Sequence, residues 1–214
     1  MKIIGDIGNT EVKICLVDNN SKIKKKVIIK THGIIQSKIK NNLKYFNKNK
    51  TKIKNIVFSS VVPRVYKLFK SYFKINYGKK IVEIKNLNLK KLIDIKVNKK
   101  QVGSDRLANS IAIIDKKNNF IIIDFGTATT FDVLIKKKYL GGIISPGINL
   151  SLNTLISRAS LIPEINLKKI SNVIGKNTND AVRSGFYWGY AGLIDNMIKL
   201  IKRQTKLSFK VVLT

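Results

Sequence analysis

The chain has 214 residues, 44% of them hydrophobic, which is enough for a sizeable core in one large domain or two modest ones. No apolar run approaches the ~20 residues of a membrane span, and no signal-peptide layout is present. The single histidine, His32, excludes a histidine-rich metal site. The single cysteine, Cys15, cannot form an internal disulfide, and its place in an apolar pattern predicts a core residue. We therefore expect a cytoplasmic protein without membrane association.

The formal charge of +30 arises from 42 basic and 12 acidic residues. Such a charge would attract nucleic acid or an anionic membrane surface. Drift toward AT-rich codons would give the same result, because lysine, isoleucine and asparagine are abundant together. Arginine, which recognises bases and phosphates bidentately, is scarce, and the lysines are scattered along most predicted elements. We favour drift and expect no specific nucleic-acid partner.

Apolar periodicity predicts the elements of the first half of the chain. Three strands are expected at 2–7, 11–18 and 24–31, followed by a helix at 35–46. A strand at 55–61 precedes a helix that begins at Pro63. Short strands at 80–84 and 92–97 and a helix at 104–116 complete this half.

The second half restarts the same pattern. Strands are expected at 119–124, 129–135 and 139–144, then a turn and helix in "SPGINLSLNTLISRA". A long helix from Asn179 to Lys202 carries an apolar stripe, and "FKVVL" forms the last strand. The chain is thus predicted to be an α/β protein built by duplication, with halves at 1–116 and 117–214.

Each half contains an acidic residue where a buried strand ends. The two copies are "IIGDIGNTEVKICLV", Ile3 to Val17, and "IIIDFGTATTFDVLI", Ile121 to Ile135. Sliding one copy onto the other pairs Asp6 with Asp124, Gly8 with Gly126, Asn9 with Thr127 and Leu16 with Leu134.

These paired turns have the residues of a phosphate site. A carboxylate at the end of a buried strand is costly unless a charge or hydrogen bond meets it, and the nearby glycine lets backbone N–H groups approach an anion. Neutral donors follow at Asn9, Thr10, Thr127, Thr129 and Thr130. Asp-x-Gly is also ordinary hairpin chemistry. Two copies in register favour two hairpins that grip a polyphosphate, with Mg²⁺ or another cation between phosphate and aspartate.

The stretch "VGSDR" offers a second candidate. Ser104 is expected to be a helix N-cap, with Asp105 and Arg106 in the first turn. An acid there complements the helix dipole, whereas an arginine does not. An acid that orients an attacking hydroxyl beside an arginine that holds a substrate anion would suit phosphoryl transfer. Spacing alone leaves the structural and the catalytic interpretation equally open.

Five motifs together resemble the type III pantothenate kinases, of the acetate and sugar kinase, Hsp70 and actin superfamily. They are "DIGNTEVK", "VGSDR", "DFGTATTFD", "GGIISPG" and "IGKNTNDAVRSGFYWGYAGLID". The resemblance implies two duplicated ribonuclease-H-like (actin-like ATPase) domains with a nucleotide cleft between them. It implies an enzyme that phosphorylates pantothenate with ATP to 4′-phosphopantothenate, the first step of coenzyme A biosynthesis.

The resemblance also implies residue roles. The ATP-binding residues would be Asp6, Ile7, Gly8, Asn9, Thr10, Glu11, Val12, Lys13 and Thr127. Asp6 would take part in holding Mg²⁺, and Asp124 would coordinate a monovalent cation, K⁺ or NH₄⁺. Asp105 would be the general base, and pantothenate would contact Gly103, Ser104, Asp105 and Arg106. Thr178 would be a further substrate contact in a homodimer, where it would serve the neighbouring subunit's site.

Two departures from the family pattern keep an alternative open. Lys96 stands where the family usually has a tyrosine that contacts pantothenate, and this place makes Lys96 itself a candidate substrate contact. Family members also continue beyond "KVVLT" with two glycines and a final helical region, so the second half is expected to be incomplete at its end. The alternative is a non-catalytic transcriptional accessory relative of the same family.

Overall fold

The first unit is built on a five-stranded mixed sheet. The computed structural model describes residues 1–214 and divides them into two compact units, Met1–Ile113 and Ile114–Thr214. In the first unit, strands β1 (Lys2–Ile7), β2 (Glu11–Val17) and β3 (Ile23–Lys30) form an antiparallel meander. Strands β4 (Asn55–Ser60) and β5 (Val82–Glu83) join parallel to β1, which gives the order β3-β2-β1-β4-β5.

Four helices accompany this sheet, and the apolar core of the unit contains residues of the first three. They are α1 (Gln36–Asn42), α2 (Lys44–Asn47), α3 (Pro63–Tyr77) and α4 (Ser104–Ile113). Helix α3 begins at Pro63, whose missing N–H costs nothing in a first turn, and ends at Gly78 in the left-handed conformation (φ 62°). The core joins alternate residues of the strands to apolar helix residues, among them Ile3, Ile7, Val12, Ile14, Leu16, Ile39, Phe58, Phe69 and Phe73.

The structure corrects four details of the first half. The helix expected at 35–46 breaks at Leu43 (φ −96°, ψ 12°), although Leu43 stays fully buried. The strands expected at 80–84 and 92–97 shrink to β5 and to β6 (Asp94–Ile95), with 3₁₀ turns at Ile84–Asn86 and Leu89–Lys91. Helix α4 ends at Ile113 because the Asp115 carboxylate accepts the N–H groups of Lys117 and Asn118 and forms a turn.

The fourth correction concerns Cys15, which is half-buried and not a core residue. Side chains alternate along a strand, and Ile14 and Leu16 point into the core. Cys15 therefore lies on the opposite face of β2.

The second unit repeats the strand arrangement of the first. Strands β7 (Asn119–Phe125), β8 (Ala128–Ile135) and β9 (Lys138–Pro146) form a meander, and β10 (Lys210–Leu213) pairs parallel to β7. The order β9-β8-β7-β10 matches β3-β2-β1-β4. Helices α5 (Ile148–Arg158) and α6 (Thr178–Thr205) follow the meander. The duplicated ribonuclease-H-like fold expected from the sequence is confirmed.

Helix α6 supplies the helical side of the second core. Its buried Ile201 packs with Ile121, Ile123, Phe131 and Val133 of the sheet, and further α6 residues are partly buried against this cluster: Leu193, Ile194, Met197 and Ile198. The stripe predicted on this helix thus faces the sheet along its carboxyl-terminal half. No helix of the structure combines the length and apolarity needed to cross a membrane.

The two hairpins differ by one residue. Asp6 pairs with Lys13 across the first hairpin, whereas Asp124 pairs with Thr130 across the second, so the second turn is one residue shorter. Consequently Leu16 corresponds to Val133, and the predicted match of Leu16 with Leu134 is wrong by one position. The correspondence of Asp6 with Asp124 lies before the turn and is unaffected.

Candidate active site

The first aspartate turn is tied to the loop that follows β3. The N–H of Gly8 donates to the Glu11 carbonyl at 2.9 Å and closes the turn. The Thr31 hydroxyl donates to the Gly8 carbonyl at 2.7 Å, and the Thr31 N–H donates to the Thr10 carbonyl at 2.9 Å. Because buried Thr31 holds both ends of the turn, the loop has a defined shape before any ligand arrives.

Side chains of the expected ATP-binding stretch divide into two groups. Ile7 and Val12 are fully buried core residues, so only their backbone is available to a ligand. Asp6 and Gly8 are half-buried, and the remaining residues are exposed: Asn9, Thr10, Glu11 and Lys13. The polar donors of this hairpin therefore lie at the surface around Asp6.

The second aspartate turn is braced by a glycine that sequence reasoning left without a role. The N–H of Gly147 donates to the Thr127 carbonyl at 2.9 Å, and a Cβ at Gly147 would lie 2.2 Å from the Gly126 carbonyl oxygen. Only glycine permits this approach. The glycine after Ser-Pro in "SPG" was the available sequence signal, but nothing local indicates what it would touch.

A buried acid lies on β8, the strand that follows the second aspartate turn. Asp132 is fully buried, and the Tyr139 hydroxyl donates to its Oδ1 at 2.5 Å. Side-chain alternation along β8 places Asp132 on the same face as Thr130, the cross-strand neighbour of Asp124. A buried carboxylate requires such hydrogen bonds, and no local sequence pattern indicates that Tyr139 would supply one.

The "GSDR" stretch forms the amino-terminal turn of α4. The Gly103 carbonyl accepts the N–H of Leu107, so Gly103 is the N-cap, and the prediction that Ser104 has this role is wrong. The Ser104 side chain is fully buried and donates to Glu83 Oε1 at 2.6 Å. This partner explains why the Ser104 hydroxyl does not cap the helix.

Asp105 is oriented by its immediate neighbours. Its Oδ1 accepts the backbone N–H of Arg106 at 2.8 Å. A Cβ at Gly103 would lie 2.3 Å from the same oxygen. The absence of a side chain at Gly103 therefore leaves room for the Asp105 carboxylate at the first turn of α4.

Glu83 links α4 to α3. Burial raises the pKa of the Tyr66 hydroxyl, and the negative charge of Glu83 raises it further. Glu83 thus accepts a hydrogen bond from the Ser104 hydroxyl, and its charge acts on Tyr66. Sequence reasoning missed this acid because a single glutamate in a short strand carries no motif.

Lys96 and Thr178 are surface residues. The Lys96 ammonium is 2.7 Å from Asp94 Oδ2, and both side chains are about half exposed, at 49% and 48%. Thr178 is the exposed first residue of α6, where the Asn177 side chain caps the helix by accepting the N–H of Asp180. The structure therefore brings Gly103–Arg106 together in one turn and leaves Lys96 in a surface ion pair.

Neither Asp6 nor Asp124 is part of a dense cluster of metal-binding side chains. No group of three or more His, Cys, Asp or Glu side chains is placed to hold a metal ion. A cation at Asp6 or Asp124 would take most of its ligands from hydroxyl, carbonyl, water or phosphate oxygens, which are the ligands that Mg²⁺ accepts.

Comparison with known proteins agrees with the motifs. The sequence profile of the family described as type III pantothenate kinase matches residues 2–200. A type III pantothenate kinase from Pelagibacter ubique is 58% identical over all of this chain and 86% of its own length. Another from Sulfurihydrogenibium sp. is 37% identical over 98% of this chain and 85% of its own.

A solved structure supports the fold. A conserved protein assigned to the Baf family of transcriptional activators from Campylobacter jejuni superposes with a TM-score of 0.57. It is 19% identical, and the match covers 98% of this chain and 80% of that protein. The profile match and the full-length relatives confirm the resemblance found in the motifs, and this chain belongs to the type III pantothenate kinase family.

Proposed function

We propose that this protein transfers the γ-phosphoryl group of ATP to the hydroxyl of pantothenate and forms 4′-phosphopantothenate, the first step of coenzyme A biosynthesis. The observation that carries the proposal is the first turn of α4 in a member of this kinase family. There Gly103 leaves room for the Asp105 carboxylate, and the Arg106 N–H donates to it.

Asp105 is the catalytic residue of the proposal. Phosphoryl transfer passes through a loose transition state, so the base has mainly to orient the hydroxyl and accept its proton late. The carboxylate has one oxygen bonded to the Arg106 N–H. The other carboxylate oxygen, Oδ2, is assigned to the pantothenate hydroxyl, whose proton it takes as the oxygen–phosphorus bond forms.

Arg106 is the proposed partner of the pantothenate carboxylate. A guanidinium binds a carboxylate with two parallel hydrogen bonds, which fixes orientation as well as position. Gly103 and Ser104 would complete this substrate surface. Lys96 pairs with Asp94 in the free protein, so any contact of Lys96 with substrate would first have to break this exposed ion pair.

The first hairpin, Asp6 to Lys13, is the proposed binding site for the ATP phosphates. Its turn is held by Thr31 and exposes neutral donors and Lys13 beside Asp6. Thr127 would contact ATP, Asp6 would hold Mg²⁺, and Asp124 would hold K⁺ or NH₄⁺. Bound Mg²⁺ would neutralise charge on the transferring phosphoryl group.

The proposal also includes a cytoplasmic homodimer. The segment between α5 and α6 exposes three apolar side chains: Leu161 at 91%, Val173 at 67% and Ile174 at 84%. Apolar surface of this kind is typical of an interface. Thr178 follows two of these residues closely and would serve the neighbouring subunit's site. Sedimentation velocity at micromolar concentration should give the mass of a dimer, and a monomer would contradict this part of the proposal.

Activity is tested with purified protein, ATP, Mg²⁺, K⁺ and pantothenate. We expect 4′-phosphopantothenate to form, and Asp105→Asn to lower kcat at least a thousandfold without changing the circular dichroism spectrum. Asp195→Asn, which changes an exposed acid of α6, is the control. Full turnover in Asp105→Asn would remove Asp105 from the mechanism.

A non-catalytic transcriptional accessory role is the second candidate. The fold similarity to the Campylobacter jejuni protein of the Baf family and the presence of Lys96 favour it. Nucleotide binding without any pantothenate turnover by the wild-type protein would select this candidate over the kinase.

A further inference from the structure

Ser59 carries a buried hydroxyl that the protein itself does not satisfy. The residue lies next to the carboxyl end of β4 and is only 8% exposed, and its Oγ has no hydrogen-bond partner. Leaving a buried hydroxyl unpaired costs free energy, so buried polar groups are nearly always hydrogen-bonded. The hydroxyl of Ser59 therefore has hydrogen-bonding capacity that no protein group uses.

The position of Ser59 indicates which group that is. Strands β1 and β4 are parallel, and their register pairs Asp6 with Ser59. Neighbouring strands lie about 4.8 Å apart and register partners point to the same face, so the side chains of Ser59 and Asp6 leave the sheet side by side on one face. Ligands of α/β sheets bind at the carboxyl ends of such parallel strands.

The next residue along β4 provides a contrast. The Ser60 side chain points to the opposite face, and its Oγ accepts the Val62 N–H at 3.3 Å. Ser60 is thus hydrogen-bonded within the protein, whereas Ser59 is not.

The second unit repeats the pairing of an acid with a hydroxyl residue. Thr214 donates its N–H to the Ile123 carbonyl at 3.0 Å, and its carbonyl accepts the Phe125 N–H at 3.3 Å. These two bonds flank Asp124, so Thr214 lies beside Asp124 as Ser59 lies beside Asp6. The strand correspondence between the units therefore places a hydroxyl residue next to each acid.

We propose that Ser59 binds the hydrated Mg²⁺ of the magnesium–nucleotide complex, with its hydroxyl hydrogen-bonded to a magnesium-bound water beside Asp6. The proposal rests on the proposed ATP site. Mg²⁺ keeps several waters and binds through one or two carboxylates plus phosphate oxygens. Asp6 provides one carboxylate with no cluster of further acids, so waters on the ion need nearby acceptors and donors. The hydroxyl of Ser59, on the adjacent strand, provides such a hydrogen-bonding group.

The test compares Ser59→Ala with Ser60→Ala in the full-length protein. The affinity for a non-hydrolysable ATP analogue is measured by calorimetry, once with Mg²⁺ and once in EDTA, and the melting temperature of the free protein is recorded. For Ser59→Ala we expect an affinity about fivefold weaker with Mg²⁺, from the loss of one hydrogen bond, and an unchanged affinity in EDTA. Its melting temperature should be unchanged or higher, because an unpaired buried hydroxyl is removed.

The control should behave in the opposite way. Ser60→Ala loses a hydrogen bond within the protein, so its melting temperature should fall while both affinities stay unchanged. The proposal is overturned if Ser59→Ala retains full affinity with Mg²⁺, or if it loses affinity equally with and without Mg²⁺. A wild-type protein that binds the magnesium–nucleotide complex but does not phosphorylate pantothenate would contradict the proposed kinase function. It would leave the role of Ser59 unchanged.

Discussion

The Asp105 carboxylate occupies the space where a side chain at Gly103 would begin, since a Cβ there would lie 2.3 Å from Oδ1. This contact makes Gly103→Ala a test of how closely Asp105 must be positioned. The added methyl should rotate the carboxylate away from the Arg106 N–H, and we expect kcat to fall ~100-fold, because small displacements of a reacting group cost about this factor. The KM for ATP should change little.

The same methyl added elsewhere is the control for Gly103→Ala. A Cβ at Gly192 of α6 would meet no atom within 4 Å, so Gly192→Ala should retain activity. Steady-state kinetics of both variants decide the matter, and equal kcat values for Gly103→Ala and the wild type would show that the carboxylate does not depend on this space.

Glu83 is expected to be a positioning residue that holds the first turn of α4 through Ser104. Replacing Glu83 by Ala leaves the buried Ser104 hydroxyl without its 2.6 Å partner, at a cost of about 1–3 kcal/mol in the free energy of unfolding. The turn that carries Asp105 should loosen, which lowers kcat more than it raises the KM for ATP.

Glu83→Gln separates positioning from charge. The amide oxygen still accepts from Ser104, so this variant should recover most of the kcat lost in Glu83→Ala. If kcat stays at the wild-type value in Glu83→Ala while the unfolding midpoint in urea drops, Glu83 contributes to stability alone.

Much of the fold could be predicted because it depends on patterns of residues that are close together in the sequence. The alternation of apolar and polar residues predicted β1, β2, β7 and β8, and the matching positions of Asp6 and Asp124 indicated the duplication. The position of Asp105 in a helical first turn was likewise evident from "VGSDR". These features depend on residues that are close in sequence.

The remaining features depend on contacts between distant residues. Nothing near Ser59 indicates that β4 pairs with β1 in the register that sets it beside Asp6. The bond from Ser104 to Glu83 and the approach of Gly147 to Gly126 join separate elements in the same way. The one-residue difference between the two turns was hidden because the register of a hairpin shows only when the strands pair.

Asp124 is expected to determine the response to monovalent cations. If its carboxylate binds K⁺, Asp124→Asn should raise the K⁺ concentration for half-maximal activity at least tenfold, since a neutral amide attracts the ion less. The titration is done with KCl at constant ionic strength maintained by a large organic cation. Asp6→Asn is the comparison and should alter the Mg²⁺ requirement instead. An unchanged K⁺ curve in Asp124→Asn would contradict the assignment.

Tyr77 is expected to make the first unit sensitive to alkali. Its hydroxyl donates to Asn47 Oδ1 at 2.6 Å, and burial, followed by the neighbouring Tyr72, raises the pKa of Tyr77. A raised pKa in the folded state stabilises the fold fully below the unfolded-state pKa of about 10. This contribution is lost as the pH rises toward the folded-state value.

Urea unfolding of Tyr77→Phe at pH 8 and pH 11 measures this effect. At pH 8 the variant should be less stable by about 0.5–1.5 kcal/mol, from the lost hydrogen bond. Between pH 8 and pH 11 the wild-type protein should lose more stability than the variant does. Parallel losses in the two proteins would show that Tyr77 ionises equally easily in the folded and unfolded states.

The parallel pairing of β1 with β4 has a consequence for the order of folding. The strands of the meander β1-β2-β3 are neighbours in sequence, so they can pair early. By contrast, β2, β3, α1 and α2 separate β4 from β1 in the chain. Strand β10 reaches β7 only after the whole of α6. Pairings over long sequence separations form slowly. A folding intermediate in which only the two meanders have formed would therefore lack the strands that pair beside Asp6 and Asp124, and ligand binding would report the final strand pairing in each unit.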